Sequence, residues 1–207
     1  MPTKRLTAIE FEPPKVNQPP QVIALLADAQ LRIEALDDKM RVEIPAFVPS
    51  NFDVVYRALA ELNRCNLATG RRFMEWGSGI GIIACLASCA GFDAVGIEIE
   101  SKLVEMSKDI AHDHKIDAEF VCGSFVPDGV IPNIDWSGGV AWLSTDGSDG
   151  YEELELDPDD FDVVFAYPWP GEEQVIFEIF ADTAAVGALL LTFHGIDGVK
   201  LQRKVKR

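Results

Sequence analysis

The stretch Arg72–Glu100, R-F-M-E-W-G-S-G-I-G-I-I-A-C-L-A-S-C-A-G-F-D-A-V-G-I-E-I-E, decides how the rest of the chain is read. Arg72 to Trp76 reads as a buried strand that carries an acid, Glu75, at its end. Gly77, Gly79 and Gly81 form a turn, Ile80 to Ala90 reads as a helix closed by Gly91, and Ala94 to Ile99 is a second strand with Glu98 near its tip. A strand that passes through glycines into a helix N-terminus leaves backbone N–H groups free beside a surface that a ligand can approach closely. An acid at the tip of the next strand accepts hydrogen bonds from a ribose. Together these parts suit a ligand that bears a nucleoside.

The glycine spacing narrows the class of nucleotide. The dinucleotide fingerprint is G-x-G-x-x-G, with the pyrophosphate at the helix N-terminus. Here the third glycine comes one residue early, at Gly81, and Ile82 stands where that fingerprint needs glycine, which disfavours an NAD-dependent oxidoreductase. The pattern Glu75-x-Gly77-x-Gly79-x-Gly81 resembles motif I of the class I S-adenosylmethionine (SAM)-dependent methyltransferases. The resemblance implies an α/β domain with a doubly wound, mostly parallel sheet and helices on both faces. It implies SAM as methyl donor and S-adenosylhomocysteine (SAH) as product. It further implies that Glu75 orients the ligand's amino-acid moiety, that Gly77, Ser78, Gly79 and Gly81 line it, and that Glu98 binds the ribose hydroxyls. Ser124 and Phe125, after the third strand, and Ala166, at the end of the fourth, are the other expected cofactor contacts. Many of these enzymes have an Asp where Ser124 stands, so the adenine contact falls here to backbone groups and Phe125.

The bulk properties bound the reading. At 207 residues, 48% hydrophobic and 25% charged, the chain suits one globular domain. Its apolar runs are far short of a membrane span, and Met1 to Glu10 holds no apolar signal core. Cys65, Cys85, Cys89 and Cys122 show neither C-x-x-C nor zinc spacing. Reduced cysteines, no metal site, no membrane partner and a cytoplasmic location are therefore expected. The net charge of −16 is uneven: no Lys or Arg lies between Lys115 and Lys200, while 18 of the 34 acids do. Nucleic-acid binding needs a basic footprint, so no nucleic-acid partner is expected. The acidic half either attracts a cationic substrate or is a solvated surface.

Residues 1–20 hold five of the twelve prolines and read as a flexible leader. Residues 21–66 read as an N-terminal helical extension. From Gln21 to Met40, Val22, Leu25, Leu26, Ala29, Ile33, Leu36 and Met40 form an apolar stripe that either packs on the domain or pairs with a second copy in a homodimer. Pro45 and Pro49 enforce an extended segment, and Ser50 or Asn51 caps the helix that follows. The run P-A-F-V-P-S resembles a segment preceding motif I in some class I protein lysine methyltransferases, where it lies over the cofactor. That makes Phe47, Pro49 and Asn51 candidates for lining the pocket, against the plainer account of a capped, buried helix.

Residues 67–207 read as the SAM-binding domain, with an insertion at about 126–160. That insertion is rich in glycine and acids around Trp136 and Trp142, and is either a substrate-facing lid or an ordered surface excursion. Phe161 to Ala166 and Gly187 to Phe193 read as central strands, with Val175, Ile176, Ile179 and Phe180 on the inward side of the helix between them. Leu201 to Val205 reads as an edge strand. The family adds a helix and two further strands here, so the C-terminal sheet edge must be abbreviated.

Tyr167–Pro170, Y-P-W-P, stands where amino-methylating relatives carry N-P-P-[YF]. Proline is kept at 168, but Tyr167 replaces the Asn that accepts hydrogen bonds from the target nitrogen. Tyr167 and Trp169 are the catalytic-side candidates, either as an aromatic wall for a cation or as rim packing. Methyl transfer from a sulfonium is an in-line displacement that needs alignment and exclusion of water, with a base optional. His112 and His114 suit a helix C-terminus, and His194 ends a central strand. The expected acceptor, not identified by sequence, is a protein side chain or a small cationic amine. The changed Tyr167 position and the short C-terminal edge keep open a non-catalytic SAM-binding or regulatory protein on the same fold.

Overall fold

The computed structural model describes residues 5–36, 48–130 and 147–206. Seven strands form one sheet: β1 (Leu6–Ile9), β2 (Arg72–Trp76), β3 (Asp93–Glu98), β4 (Ala118–Cys122), β5 (Val163–Ala166), β6 (Leu189–Phe193) and β7 (Val199–Lys204). The helices are α1 (Pro20–Ala35), α2 (Phe52–Arg64), α3 (Ile82–Cys89), α4 (Ser101–His114), α5 (Gly150–Leu154) and α6 (Glu173–Thr183). The strand order is β1-β7-β6-β5-β2-β3-β4. β2 to β6 are parallel, and β7 is antiparallel to both of its neighbours. Parallel neighbours need crossovers, which α3, α4 and α6 supply.

Period-two alternation along the strands divides the core between two faces. Phe73, Phe120, Phe165 and Leu191 pack beneath α1 to α4, while Met74, Ile97, Val164 and Leu190 pack beneath α5 and α6. The doubly wound, mostly parallel sheet with helices on both faces is the architecture expected from the sequence. The chain leaves β2 towards β3 and β4, then returns to β5 on the other side of β2. That reversal makes the carboxyl ends of β2 and β5 the topological switch point, where open α/β sheets take their ligands in a crevice.

Two corrections concern the N-terminal part. The expected flexible leader contains a strand: Leu6 to Ile9 pair with Lys204 to Leu201 of β7. The sheet edge beyond β6, expected to be abbreviated, instead carries β7 and, outermost, β1, so the sheet has seven strands among the described residues. The apolar stripe of α1 packs on the domain, with Val22, Leu25 and Ala29 fully buried, while Ile23 and Leu31 on its other side stay exposed. Met40 lies outside the described residues. Asn51 rather than Ser50 caps α2, its Oδ1 accepting the Val54 N–H at 3.2 Å. Val55, Leu59 and Leu62 one and two turns on are fully buried, so the capped-helix account of this segment is met. Phe47 lies outside the described residues.

Of the insertion, residues 131–146, with Trp136 and Trp142, also lie outside the described residues. The flanks are tied together: Ser124 N–H donates to Ser148 O at 2.8 Å, Gly150 N–H to Ser124 O at 3.0 Å, and Asp128 N–H to Asp149 Oδ2 at 2.9 Å. α5 and a 3-10 turn at Pro158–Asp160 follow. Among the described residues no helix is long and apolar enough to cross a membrane, and all four cysteines are free thiols.

Candidate functional site

The glycine turn runs from the end of β2 into α3 with Gly77, Gly79 and Gly81 all at positive φ, 66°, 55° and 75°. The two outer glycines are needed for different reasons. A Cβ on Gly81 would lie 2.5 Å from Phe120 Cε1 and 2.7 Å from Ser107 Cβ, whereas a Cβ on Gly77 would meet nothing within 4 Å. Gly81 lets the turn pack against the protein, and Gly77 borders open space where another molecule can approach.

Two buried acids hold the turn. Glu75, 4% exposed, accepts the Ala84 N–H on Oε2 at 2.8 Å, satisfying one of the free donors of the first turn of α3. Glu98, 8% exposed, accepts the Gly79 N–H on Oε2 at 2.8 Å and the Glu100 N–H on Oε1 at 3.0 Å. The second bond ties Glu98 to Glu100, which stands in the cap position of α4 with no side-chain cap of its own. Burial pushes the Glu75 carboxyl well above the usual carboxylate range; the Ala84 N–H opposes this and the nearby charge of Glu98 adds to it. Burial likewise raises Glu98, against the N–H groups of Glu100, Gly79 and Ile99. Among the described residues no Lys, Arg or His pairs with either acid. Ser78 is buried with its Oγ unpaired, and it sits over Gly96, whose Cα side leaves room for it.

The structure therefore gathers Glu75, Gly77, Ser78, Gly79, Gly81 and Glu98 at one point. Ser124 is close by, since Gly123 N–H donates to Glu98 O at 2.9 Å. Its own polar groups are engaged in its loop, however: the Oγ accepts the Val126 N–H at 3.0 Å, and its N–H is taken by Ser148. Phe125 turns to the other face of the sheet and stacks on Trp76, with ring centroids 5.1 Å apart and planes 11° from parallel. Ala166 ends β5 and is buried. Across the crevice Tyr167 is half-buried with its ring edge-on to Phe193 at 5.0 Å, and Trp169 N–H donates to Glu172 Oε2 at 3.3 Å. His194 Nε2 lies 2.8 Å from Thr192 Oγ1, and burial and Lys200 hold its pKa below the ordinary value.

Three residues of the site's frame were not singled out from sequence. Ser107 on α4 donates to Gly79 O at 3.1 Å; its signal was a hydroxyl inside the stripe Leu103, Ser107, Ile110. Trp76 Nε1 donates to the buried Tyr151 OH at 2.8 Å, which joins the residue before the glycine turn to α5. Gly147 lies against Ile99, next to the acid Glu98. Nothing local in the acid-rich run around Tyr151 marks either contact.

The architecture and the turn can be set against known proteins. A methyltransferase from Geobacter sulfurreducens superposes with a TM-score of 0.53, at 15% identity, over 92% of each chain. An RNA methyltransferase from Salinibacter ruber, solved with SAH, gives 0.52 at 20% identity over 77% of this chain and 95% of its own. The fold is that of the class I methyltransferases. An SAH-bound methyltransferase from Podospora anserina shares this methyltransferase fold at a TM-score of 0.52 and 11% identity, over 84% of this chain and 62% of its own. In sequence, the chain is 41% identical over 66 residues to the ribosomal protein L11 methyltransferase of Neisseria meningitidis, a match covering 31% of this chain. The matched stretch spans 21% of the length of that relative. No family model matches the chain.

Proposed function

We propose that this chain is a SAM-dependent methyltransferase whose acceptor is an amine, with a protein side chain favoured. The amine arrives as an ammonium, gives up one proton to solvent, and then attacks the methyl in line through its lone pair as SAH leaves. The carrying observation is the pair Glu75 and Glu98 around a positive-φ glycine turn, without a cationic partner among the described residues. The donor set fits SAM. On this reading Glu98, at the tip of β3, accepts the ribose hydroxyls and Glu75, at the end of β2, takes the ammonium, while Gly77 leaves open space beside the turn. When bound, SAM supplies an electrophilic methyl on a sulfonium, a good leaving group. The chain's part is then to align and to exclude water. Tyr167 and Trp169, at the carboxyl end of β5 across the crevice, form the aromatic side on which a cationic acceptor would rest.

The acceptor class rests on charge. The stretch from Lys115 to Lys200, which includes Tyr167 to Pro170, holds 18 acids and no base between those two lysines. A phosphate backbone would be repelled there and an ammonium attracted. The name of the L11 relative, whose acceptor is a protein, agrees with this choice. Calorimetric titration with SAM, SAH and NAD tests the cofactor: binding of NAD in place of SAM and SAH refutes it. Radiolabelled methyl transfer into a lysate, split into protease-treated and RNase-treated halves, tests the acceptor. Label lost to protease and kept after RNase supports a protein; the reverse result refutes it.

A further inference from the structure

Glu75 and Glu98 grip the glycine turn from opposite ends, but they are unequally supplied as anions. Glu98 has the N–H groups of Gly79, Glu100 and Ile99 to support a negative charge. Glu75, 4% exposed, has one, Ala84 N–H at 2.8 Å. Among the described residues, the titratable groups that face Glu75 are Glu98 on β3 and the thiol of Cys85 on α3, itself pushed up by burial and by Glu75; Glu100 faces Glu98 from outside. None of them brings a positive charge. A buried carboxylate in such a setting is among the costliest groups a protein can hold, whereas the neutral acid needs no counter-ion. The ligand read for this site carries the missing cation, since the amino-acid end of SAM or SAH bears an ammonium.

Resting on that reading of the cofactor, we propose that Glu75 stands as the neutral acid in the ligand-free protein and ionises when the ligand's ammonium arrives, so that filling the site releases one proton to solvent. The Glu75 O–H bond breaks and its proton passes to water or buffer. The ammonium keeps its own protons, and a carboxylate–ammonium pair replaces what would have been a lone buried charge. Glu98, with two hydrogen-bonded N–H donors, is raised less than Glu75 and is not the group that releases the proton. The site should thus favour nucleosides that carry an ammonium, and bind them more tightly as pH rises.

Titration calorimetry of the whole chain with SAH, in buffers of different ionisation heat, counts the protons. At pH values above the ordinary glutamate range and below the raised value of Glu75, the expected release approaches about one proton per SAH, with Kd falling towards about tenfold per pH unit. The probe 5′-methylthioadenosine, the same nucleoside thioether without the amino-acid end, should bind with no release. Glu75→Gln should keep measurable SAH binding while the release and the pH dependence disappear. SAH binding without proton release overturns this proposal alone, as does an equal release with methylthioadenosine. Both readouts use the unaltered protein, so they stand even if Glu75→Gln does not fold. A release that survives Glu75→Gln overturns the assignment to Glu75, and failure to bind SAH at all overturns the cofactor reading with it.

Discussion

The Oε2 atom of Glu98 accepts the backbone N–H of Gly79 at 2.8 Å, so the acid that ends β3 is built into the turn that follows β2. Glu98→Ala removes this bond, the bond from Glu100 N–H and the acceptor for the ribose at one stroke. Loss of SAH affinity by about thirtyfold or more is expected, about 2 kcal/mol, as for hydrogen bonds to a charged group. Calorimetry with an unchanged Kd would remove Glu98 from the site.

The two outer glycines should separate stability from binding. Gly81→Ala combines a positive φ with contacts inside 3 Å to Phe120 and Ser107, and should cost about 3 kcal/mol in urea unfolding. Gly77→Ala carries the φ penalty alone, about 1 kcal/mol, because its Cβ meets open space. That Cβ would stand where the ligand approaches, so Gly77→Ala should weaken SAH binding more than its small effect on stability suggests. Equal unfolding midpoints for the two variants would contradict this division.

Tyr151→Phe leaves the buried indole N–H of Trp76 without its acceptor. A loss of about 1–3 kcal/mol is expected by chemical denaturation. Adding Trp76→Phe removes the orphaned donor but also the ring that stacks on Phe125, so a double-mutant cycle should show coupling of about 1 kcal/mol. Strictly additive losses would mean that the bond is not formed in solution.

The contribution of Glu75 to the stability of the ligand-free protein should fall as pH rises. Glu75 is raised above the ordinary glutamate value of 4.5, so the folded state holds its proton at a pH where the unfolded chain has lost it. Its contribution is therefore fully present below about pH 4.5 and is lost as pH rises through the folded-state pKa. Glu98 is raised too and has the same sign. Thermal melts across this range should show Glu75→Gln with a flatter profile than the parent chain. A parent profile that climbs through the same window, with no change on Glu75→Gln, would contradict the assignment.

What could be read from sequence follows from how far apart the cooperating residues lie. β2, the turn, α3 and β3 form one contiguous unit whose glycines and acids carry their own signals, and each lies where the spacing put it. Leu6 to Ile9 gave no such signal, because the prolines around them suggested an open leader and their partner, β7, is almost a whole chain away. Phe125 is a second case. Which side of a sheet a residue takes just after a strand depends on the loop's path, and here the loop carries it beneath Trp76. Tyr167 lost the familiar Asn but kept its place at the carboxyl end of β5, so position was legible there while the polar chemistry was not.

The pairing of β1 with β7 sets an order of events during synthesis. β1 leaves the ribosome before any other strand described here, yet its hydrogen-bonding partner is made after all the rest. Throughout translation, the ladder groups of β1 have no native neighbour, and β6 meets β7 only at the end. The parallel centre, with the glycine turn, can assemble from segments close in sequence, while the outer edge must wait for the longest loop closure in the molecule. Closing that edge should be the slow, late step of folding, and until it is complete β7 offers a bare strand edge to other nascent chains.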